Sequence, residues 1–323
     1  MPSKVLLTYP IPCEAGDRDK LTYLFIEAPI ERLHELTQTQ REEIEGVICL
    51  LSERITIDVL DAMPNLKVIA NYAVGLYNID IDACTKRNIM VCHTPDVLTQ
   101  ASANHAFSLM LNGIRRIDES ARSARRGEWK GWGPEIFLGS SPQNLTLGIV
   151  GTGRIGQALA ELGKKAFGMN IVYNSRYTKP AFEKTFDAKA LPLNQLLKTS
   201  DVVSLHTPLT SETRGLINKE KLLMMKAKAI LINTSRGEVI NQEDLCEVLR
   251  SDHLAHVGLD VTTPEPLPKD HELYQFERVT ITPHIASAEL PTRQDMSWLC
   301  FQNVEEALSG GRPPTLFNTE VLK

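Results

Sequence analysis

The chain lacks the patterns that organise cysteine into structure. Its six cysteines (Cys13, Cys49, Cys84, Cys92, Cys246, Cys300) are scattered, with no Cys-x-x-Cys pair and no histidine partners at zinc spacing. That argues against a disulfide scaffold and against a metal site, and buried, reduced thiols are expected. No apolar run approaches the length that crosses a bilayer. The N-terminus carries a lone lysine and a short apolar run before Tyr9 and Pro10, without the hydrophobic region of a secretory signal, so a cytoplasmic protein is expected. An excess of positive charge is missing too: 35 Lys and Arg stand against 40 Asp and Glu, a net charge of -5. Neither nucleic acid nor a membrane is therefore expected as a partner. The densest basic stretch, Arg115, Arg116, Arg122, Arg125 and Arg126, reads as the solvated face of a long helix. No internal repeat or low-complexity segment stands out.

What the chain does have is length and alternation. Its 323 residues allow two domains with sizeable cores, and 42% hydrophobic with 23% charged residues is ordinary for a globular protein. The stretch Leu145 to Gly156, Leu-Thr-Leu-Gly-Ile-Val-Gly-Thr-Gly-Arg-Ile-Gly, is an apolar strand breaking into a glycine-rich turn. Gly151 suits the tight turn, Gly153 lets the backbone approach a pyrophosphate, and Gly156 lets the next helix lie close to the sheet. Ile155, Leu159, Leu162 and Ala166 then mark one helix face, Gly168 stops the helix, and Asn170 to Tyr173 is the next strand. A glycine motif inside such a strand–turn–helix–strand unit points to a dinucleotide on the helix N-terminus.

Around this unit the chain reads as α/β, with two doubly wound parallel sheets. Lys4 to Tyr9, Gly46 to Leu51, Lys67 to Ala70 and Met90 to Cys92 are apolar on both faces, as covered parallel strands are, with a helical spacer such as Thr56 to Met63 between. Thr99 is expected to open a long helix running toward Gly127. Strands Asp201 to Leu205, Ala229 to Asn233, Val257 to Asp260 and Val279 to Thr282 follow, then one more helix, Glu289 to Leu308. That helix is expected to return to the first domain. The fold expected is thus a Rossmann coenzyme domain (99–289) inserted in a discontinuous, flavodoxin-like substrate domain (1–98 and 290–323).

The residues after the second strand of the glycine unit choose the cofactor. An NAD site usually places Asp or Glu there for the ribose hydroxyls, and a carboxylate repels a 2'-phosphate. Here stand Asn174, Ser175 and Arg176: a neutral side chain, a hydroxyl and a guanidinium, which suit a phosphate dianion. NADP(H) is therefore the preferred cofactor expected, with NAD(H) possible.

Three residues follow three successive strands at the edge where ligands of open parallel sheets collect: Arg236 in Asn-Thr-Ser-Arg-Gly, Glu265 in Thr-Pro-Glu-Pro and His284 in Thr-Pro-His-Ile. Reducing a 2-oxo acid needs a hydride donor, an anchor for the carboxylate and a proton for the alkoxide. Arg236 can supply the anchor by forked, charge-assisted hydrogen bonds, and His284 the proton. A neighbouring Glu265 carboxylate would orient the imidazole and favour imidazolium.

These residues, with Gly151 to Gly156, Asn233 to Gly237, Glu265-Pro266 and Pro283-His284, resemble the D-isomer-specific 2-hydroxyacid dehydrogenases. The resemblance covers nearly the whole chain, including Asn71-Tyr72-Ala73-Val74-Gly75, Thr94-Pro95 and His206-Thr207-Pro208. It is greatest to the glyoxylate and hydroxypyruvate reductases, through Gly127-Glu128-Trp129-Lys130 and Asn174-Ser175-Arg176. It implies Arg236, Glu265 and His284 as catalytic residues and the Val74 and Gly75 N–H groups, with Arg236 and His284, as the substrate site. It also implies a cofactor site of Gly151, Gly153, Arg154, Ile155, Gly156, Asn174, Ser175, Arg176, Thr234, Ser235, Asp260 and Ala286, with Asp260 near the nicotinamide amide. A homodimer built largely through the coenzyme domain is implied as well, with Trp129 and Trp132 at the partner's substrate pocket, in dimer contacts or packing their own loop. The chain departs from the family pattern at Tyr77 and Asn104, where acidic residues are common. The same scaffold also carries 2-ketogluconate reductases and other D-2-hydroxyacid dehydrogenases, and dinucleotide-sensing corepressors that are not enzymes.

Overall fold

The computed structural model describes residues 2–322. The chain divides into two compact units, 1–98 with 288–323, and 99–287.

The first unit is built on a five-stranded parallel sheet: β1 (Lys4–Leu7), β2 (Leu24–Glu27), β3 (Ile44–Cys49), β4 (Val68–Asn71) and β5 (Met90–Cys92). Their order is β2-β1-β3-β4-β5, which is the flavodoxin-like arrangement. Leu6, Val47, Ile69 and Val91 point to one face, into a cluster with Leu60, Met63, Ala83 and Cys84. On the other face the helix Leu290–Leu308 packs against β3, β4 and β5, so the last helix of the chain does complete this sheet. With both faces covered, the strands are apolar throughout. β2, not among the strands expected from the sequence, carries the apolar run Leu24-Phe25-Ile26 but stands exposed or half-buried at the sheet edge. The helical spacer after β3 is shorter than the Thr56 to Met63 expected, spanning Ile57–Asp61.

The second unit holds β6 (Thr146–Val150), β7 (Asn170–Asn174), β8 (Lys189–Ala190), β9 (Val202–Leu205), β10 (Ile230–Asn233), β11 (His256–Leu259) and β12 (Val279–Ile281). Their order, β12-β11-β10-β9-β6-β7-β8, is that of a Rossmann sheet, with the chain reversing direction across the sheet between β6 and β9. Every pair is parallel, so all seven strands end on the same edge. Leu147 and Ile149 are fully buried beside Leu159 and Ala160 of the helix Arg154–Phe167. Burial of each such aliphatic side chain stabilises the unit by roughly 1.5–3 kcal/mol.

The long helix expected from Thr99 is in fact two, Thr99–Arg115 and Ile117–Arg125, broken at Arg116, whose φ is 52°. In a continuous helix the Asp118 N–H would donate to Ile114 O. Here it donates to the Asn112 side chain at 2.7 Å, while Ile114 O accepts from Ser140 N–H at 3.0 Å. Nor is the arginine stretch simply a solvated face. Arg116 pairs with Glu119, Arg122 with Asp118, and Arg126 with Glu128 and Glu277. Among the described residues no helix is long and apolar enough to cross a membrane.

Candidate active site

The glycine turn sits at the end of β6, beside the reversal point. Gly151 has φ 97°, and a Cβ there would lie 2.6 Å from His206 O, so no other residue fits without displacing the loop after β9. A Cβ at Gly156 would lie 2.3 Å from Gly151 O, the close helix approach that the motif requires. At Gly153 an added Cβ would meet nothing within 4 Å. That open side lies against the first helical turn, whose opening N–H groups, including those of Arg154 and Ile155, precede the first intrahelical bond, from Gln157 N–H to Gly153 O. Three hydroxyls at neighbouring strand ends, those of Thr152, Thr207 and Thr234, are buried without a hydrogen-bond partner. Buried hydroxyls are nearly always paired, so three orphans around an open glycine cradle fit a polar ligand such as a dinucleotide. His206, in the loop after β9, accepts or donates through Nε2 to Ser204 Oγ at 2.8 Å, and burial pushes its pKa down to about 4, leaving it neutral.

Arg236, Glu265 and His284 lie in the loops after β10, β11 and β12, three adjacent strands in parallel register. His284 Nδ1 is 2.5 Å from Glu265 Oε1. A carboxylate only accepts, so Nδ1 is the donor, and Nε2 is the ring atom left to exchange a proton. His284 is in the left-handed region, with φ 52°, which side chains rarely adopt outside a constrained site. Asp260, 1% exposed at the end of β11, imposes that constraint. Its Oδ1 accepts from Thr282 Oγ1 (2.6 Å) and Ile285 N–H (2.9 Å), and its Oδ2 from Ala286 N–H (2.8 Å). Burial alone would push this carboxyl up; bonds from His105, Thr282 and Ile285 outweigh it and hold the group below its usual range. Thus Asp260 and Ala286, read from the family resemblance as cofactor contacts, also bind each other and fix the histidine loop.

Other residues organise the site from beside Arg236. Asn233, fully buried, donates from Nδ2 to Arg236 O at 2.8 Å and accepts from Ser235 N–H and Oγ, which closes the turn that presents Arg236. The Arg236 guanidinium donates to Ser235 O at 2.6 Å. A Cβ at Gly237 would lie 2.1 Å from Thr262 O, so this turn runs directly against the Glu265 loop. Gln242 clamps that loop in turn, donating to Thr263 O (2.6 Å) and accepting from Thr263 N–H (3.0 Å). Asn233 and Gly237 are the two ends of the Asn-Thr-Ser-Arg-Gly run, whereas Gln242 has no signal beyond its proximity to Arg236 in sequence.

On the far side of the cradle, Asn174 closes β7 and donates from Nδ2 to Leu191 O at 2.9 Å. The Ser175 hydroxyl donates to Tyr177 O, turning into its own loop. Arg176 is exposed, and its charge reaches Glu212 in the loop after β9, where Thr210 and Ser211 lower that carboxyl's pKa and Arg176 adds to the effect. In the first unit, Val74 and Gly75 follow β4, and neither N–H has an acceptor among the described residues. Of the departures from the family pattern, Tyr77 is 53% exposed and Asn104 accepts from Gln100 within its helix.

Comparison with known proteins gives the family and the fold. Residues 107–286 match the family described as D-isomer specific 2-hydroxyacid dehydrogenase, NAD binding domain. A glyoxylate reductase of Thermococcus onnurineus is 44% identical over 330 aligned positions, covering 100% of this chain and 98% of that protein. A crystal structure of a Thermus thermophilus protein superposes with a TM-score of 0.88 at 44% identity, covering 97% of this chain and 99% of that one. The NADPH-dependent glyoxylate/hydroxypyruvate reductase of Sinorhizobium meliloti, in complex with NADP and malonate, gives 0.85 at 28% identity, with coverage of 99% and 98%. The chain therefore belongs to the D-isomer-specific 2-hydroxyacid dehydrogenases, with a nicotinamide-dinucleotide-binding Rossmann domain.

Proposed function

We propose that the chain is an NADPH-preferring reductase of small 2-oxo acids, with glyoxylate and hydroxypyruvate as its substrates and D-2-hydroxy acids as products where a centre is formed. The observation that carries this reading is the His284–Glu265 pair at 2.5 Å, one loop away from Arg236 and on the same sheet edge as the orphaned threonines. Bound reduced nicotinamide supplies the hydride to the keto carbon. Arg236 holds the substrate carboxylate and polarises the carbonyl, together with the Val74 and Gly75 N–H groups. His284 Nε2 gives its proton to the developing alkoxide, and Glu265 stabilises the imidazolium and orients the ring. Thr234, Ser235 and the first-turn amides of the glycine helix are the cofactor's protein contacts, and Arg176 is the group that meets a 2'-phosphate. The names of the relatives support glyoxylate, and the neutral Asn174 beside Arg176 supports NADPH.

Steady-state kinetics with glyoxylate, hydroxypyruvate and 2-ketogluconate, each with NADPH and NADH, test the assignment. The highest kcat/KM is expected for glyoxylate or hydroxypyruvate with NADPH. A clear preference for 2-ketogluconate or for NADH would overturn that part of the reading, and tight cofactor binding without turnover on any acid would indicate a sensor. The working form is a homodimer in this reading, because Trp129 (71% exposed), Trp132 (88%) and Leu138 (64%) are large apolar side chains that a lone chain leaves in water. Light scattering is expected to give twice the chain mass, and a monomer that retains full activity would contradict it.

A further inference from the structure

We infer that His93 is a positioning residue for the substrate: its ring holds the Val74–Gly75 peptide so that the Gly75 N–H is presented to the substrate carboxylate. This rests on the assignment of Val74 and Gly75 to carboxylate binding made above. His93 lies just past β5 and Val74 just past β4, and the two strands are parallel neighbours. His93 Nδ1 is 2.9 Å from Val74 O. A carbonyl oxygen only accepts, so Nδ1 carries the proton in this contact. Across a trans peptide the C=O and the following N–H point to opposite sides, and fixing Val74 O therefore fixes the direction of the Gly75 N–H.

The flanking peptides are treated in the same way. Ala73 O accepts from Thr94 N–H at 2.9 Å, which directs the Val74 N–H, and Gly75 O accepts from Asn71 Nδ2 at 2.7 Å. Asn71 is itself placed by Asn78 Nδ2, 3.2 Å from its Oδ1. Three consecutive carbonyls are thus gripped from behind, while the N–H groups of residues 74 and 75 are left without an acceptor among the described residues. A donor on the carbonyl also strengthens the N–H of the same peptide as a donor. Ala73 is held through backbone, and Gly75 by a buried asparagine inside the loop's own network. The middle carbonyl depends on the half-buried imidazole of His93, whose ring stands edge-on to Phe317 at 5.8 Å.

The test compares wild type, His93→Ala and His93→Asn as full-length enzyme with NADPH. An asparagine amide nitrogen can occupy nearly the place of the imidazole Nδ1 and remains a donor. His93→Ala is expected to raise the KM for glyoxylate and the inhibition constant of oxalate about tenfold, with kcat within about twofold and NADPH affinity and Tm unchanged; His93→Asn is expected to recover most of the loss. Unchanged KM and oxalate inhibition in His93→Ala, no recovery in His93→Asn, or losses in step with NADPH affinity and Tm would each overturn the inference. The Gly75 amide resonance of the wild-type enzyme, followed as oxalate is added, separates the two levels. A shift with unaltered inhibition in His93→Ala sinks the role of His93 alone, whereas no shift in wild type sinks the carboxylate assignment and His93 with it.

Discussion

The two parallel sheets use their carboxyl-terminal edges differently. After β10, β11 and β12 the second unit places the side chains proposed to do the chemistry, Arg236, Glu265 and His284, and it anchors their loops with the buried Asn233 and Asp260 and the half-buried Gln242. After β4 and β5 the first unit turns its side chains to the rear, His93 and Asn71 onto peptide carbonyls, and leaves backbone N–H groups outward. In the proposed mechanism one edge acts through residue identity and the other through backbone direction. The same architecture can therefore tolerate substitution very differently at its two ends.

Breaking the side-chain edge should cost most. Arg236→Ala removes the forked anchor and is expected to lower kcat/KM by about a hundred- to a thousandfold in glyoxylate assays. A loss below about fivefold would mean that the carboxylate is anchored elsewhere.

The next largest effect is on stability. His256, 4% exposed at the start of β11, is pushed down to about 4 by burial, from an ordinary value of 6.5. Between those values the unfolded chain binds a proton that the folded chain refuses, so the stability present above pH 6.5 is lost progressively as pH falls toward about 4. The loss amounts to up to about 3 kcal/mol. Denaturant titrations of wild type and His256→Gln across this range should show a shallower acid limb in the variant; parallel limbs would remove His256 from the account.

The comparison sharpens at Val74. Val74→Ala keeps the N–H and should change the KM for glyoxylate less than about threefold, whereas Val74→Pro deletes the donor and should raise it about tenfold. Equal effects would show that the side chain matters there, against the backbone reading. Smallest of all, Arg176→Ala should lower the NADPH-to-NADH preference by about three- to tenfold, since this guanidinium is exposed and its charge is screened. An unchanged ratio would remove Arg176 from cofactor choice.

This contrast also explains what could be read from the chain alone. Gly151 to Gly156 is legible because Gly151 and Gly156 answer steric demands that no other residue meets while Gly153 leaves open space at the start of the helix, and the apolar strands are legible because both sheet faces are covered. Arg236, Glu265 and His284 stand out because titratable residues one loop past an apolar strand are chemically conspicuous. The break at Arg116 is not legible, since it depends on Asn112 and Ser140 capturing the partners of a helical bond, one of them from 24 positions downstream of the broken turn. β8 is a two-residue edge strand without an apolar run to mark it, whereas the edge strand β2, absent from the expected strands, does hold the run Leu24-Phe25-Ile26. The tie from Asp260 to residues 285 and 286, and the grip of His93 on Val74, join loops that only the sheet brings together. Side-chain chemistry shows in a sequence; a backbone N–H looks the same at every residue but proline.

The most direct test of the central claim follows the transferred hydrogen itself. Wild type and His284→Ala would each be given NADPH carrying deuterium at the nicotinamide C4, together with glyoxylate, and the product analysed by mass spectrometry alongside cofactor-binding titrations. The account expects monodeuterated glycolate from wild type and less than about one hundredth of that rate from His284→Ala, with the cofactor bound nearly as tightly by both. Label transfer at the wild-type rate in His284→Ala, or bound cofactor with no transfer in wild type, would contradict it.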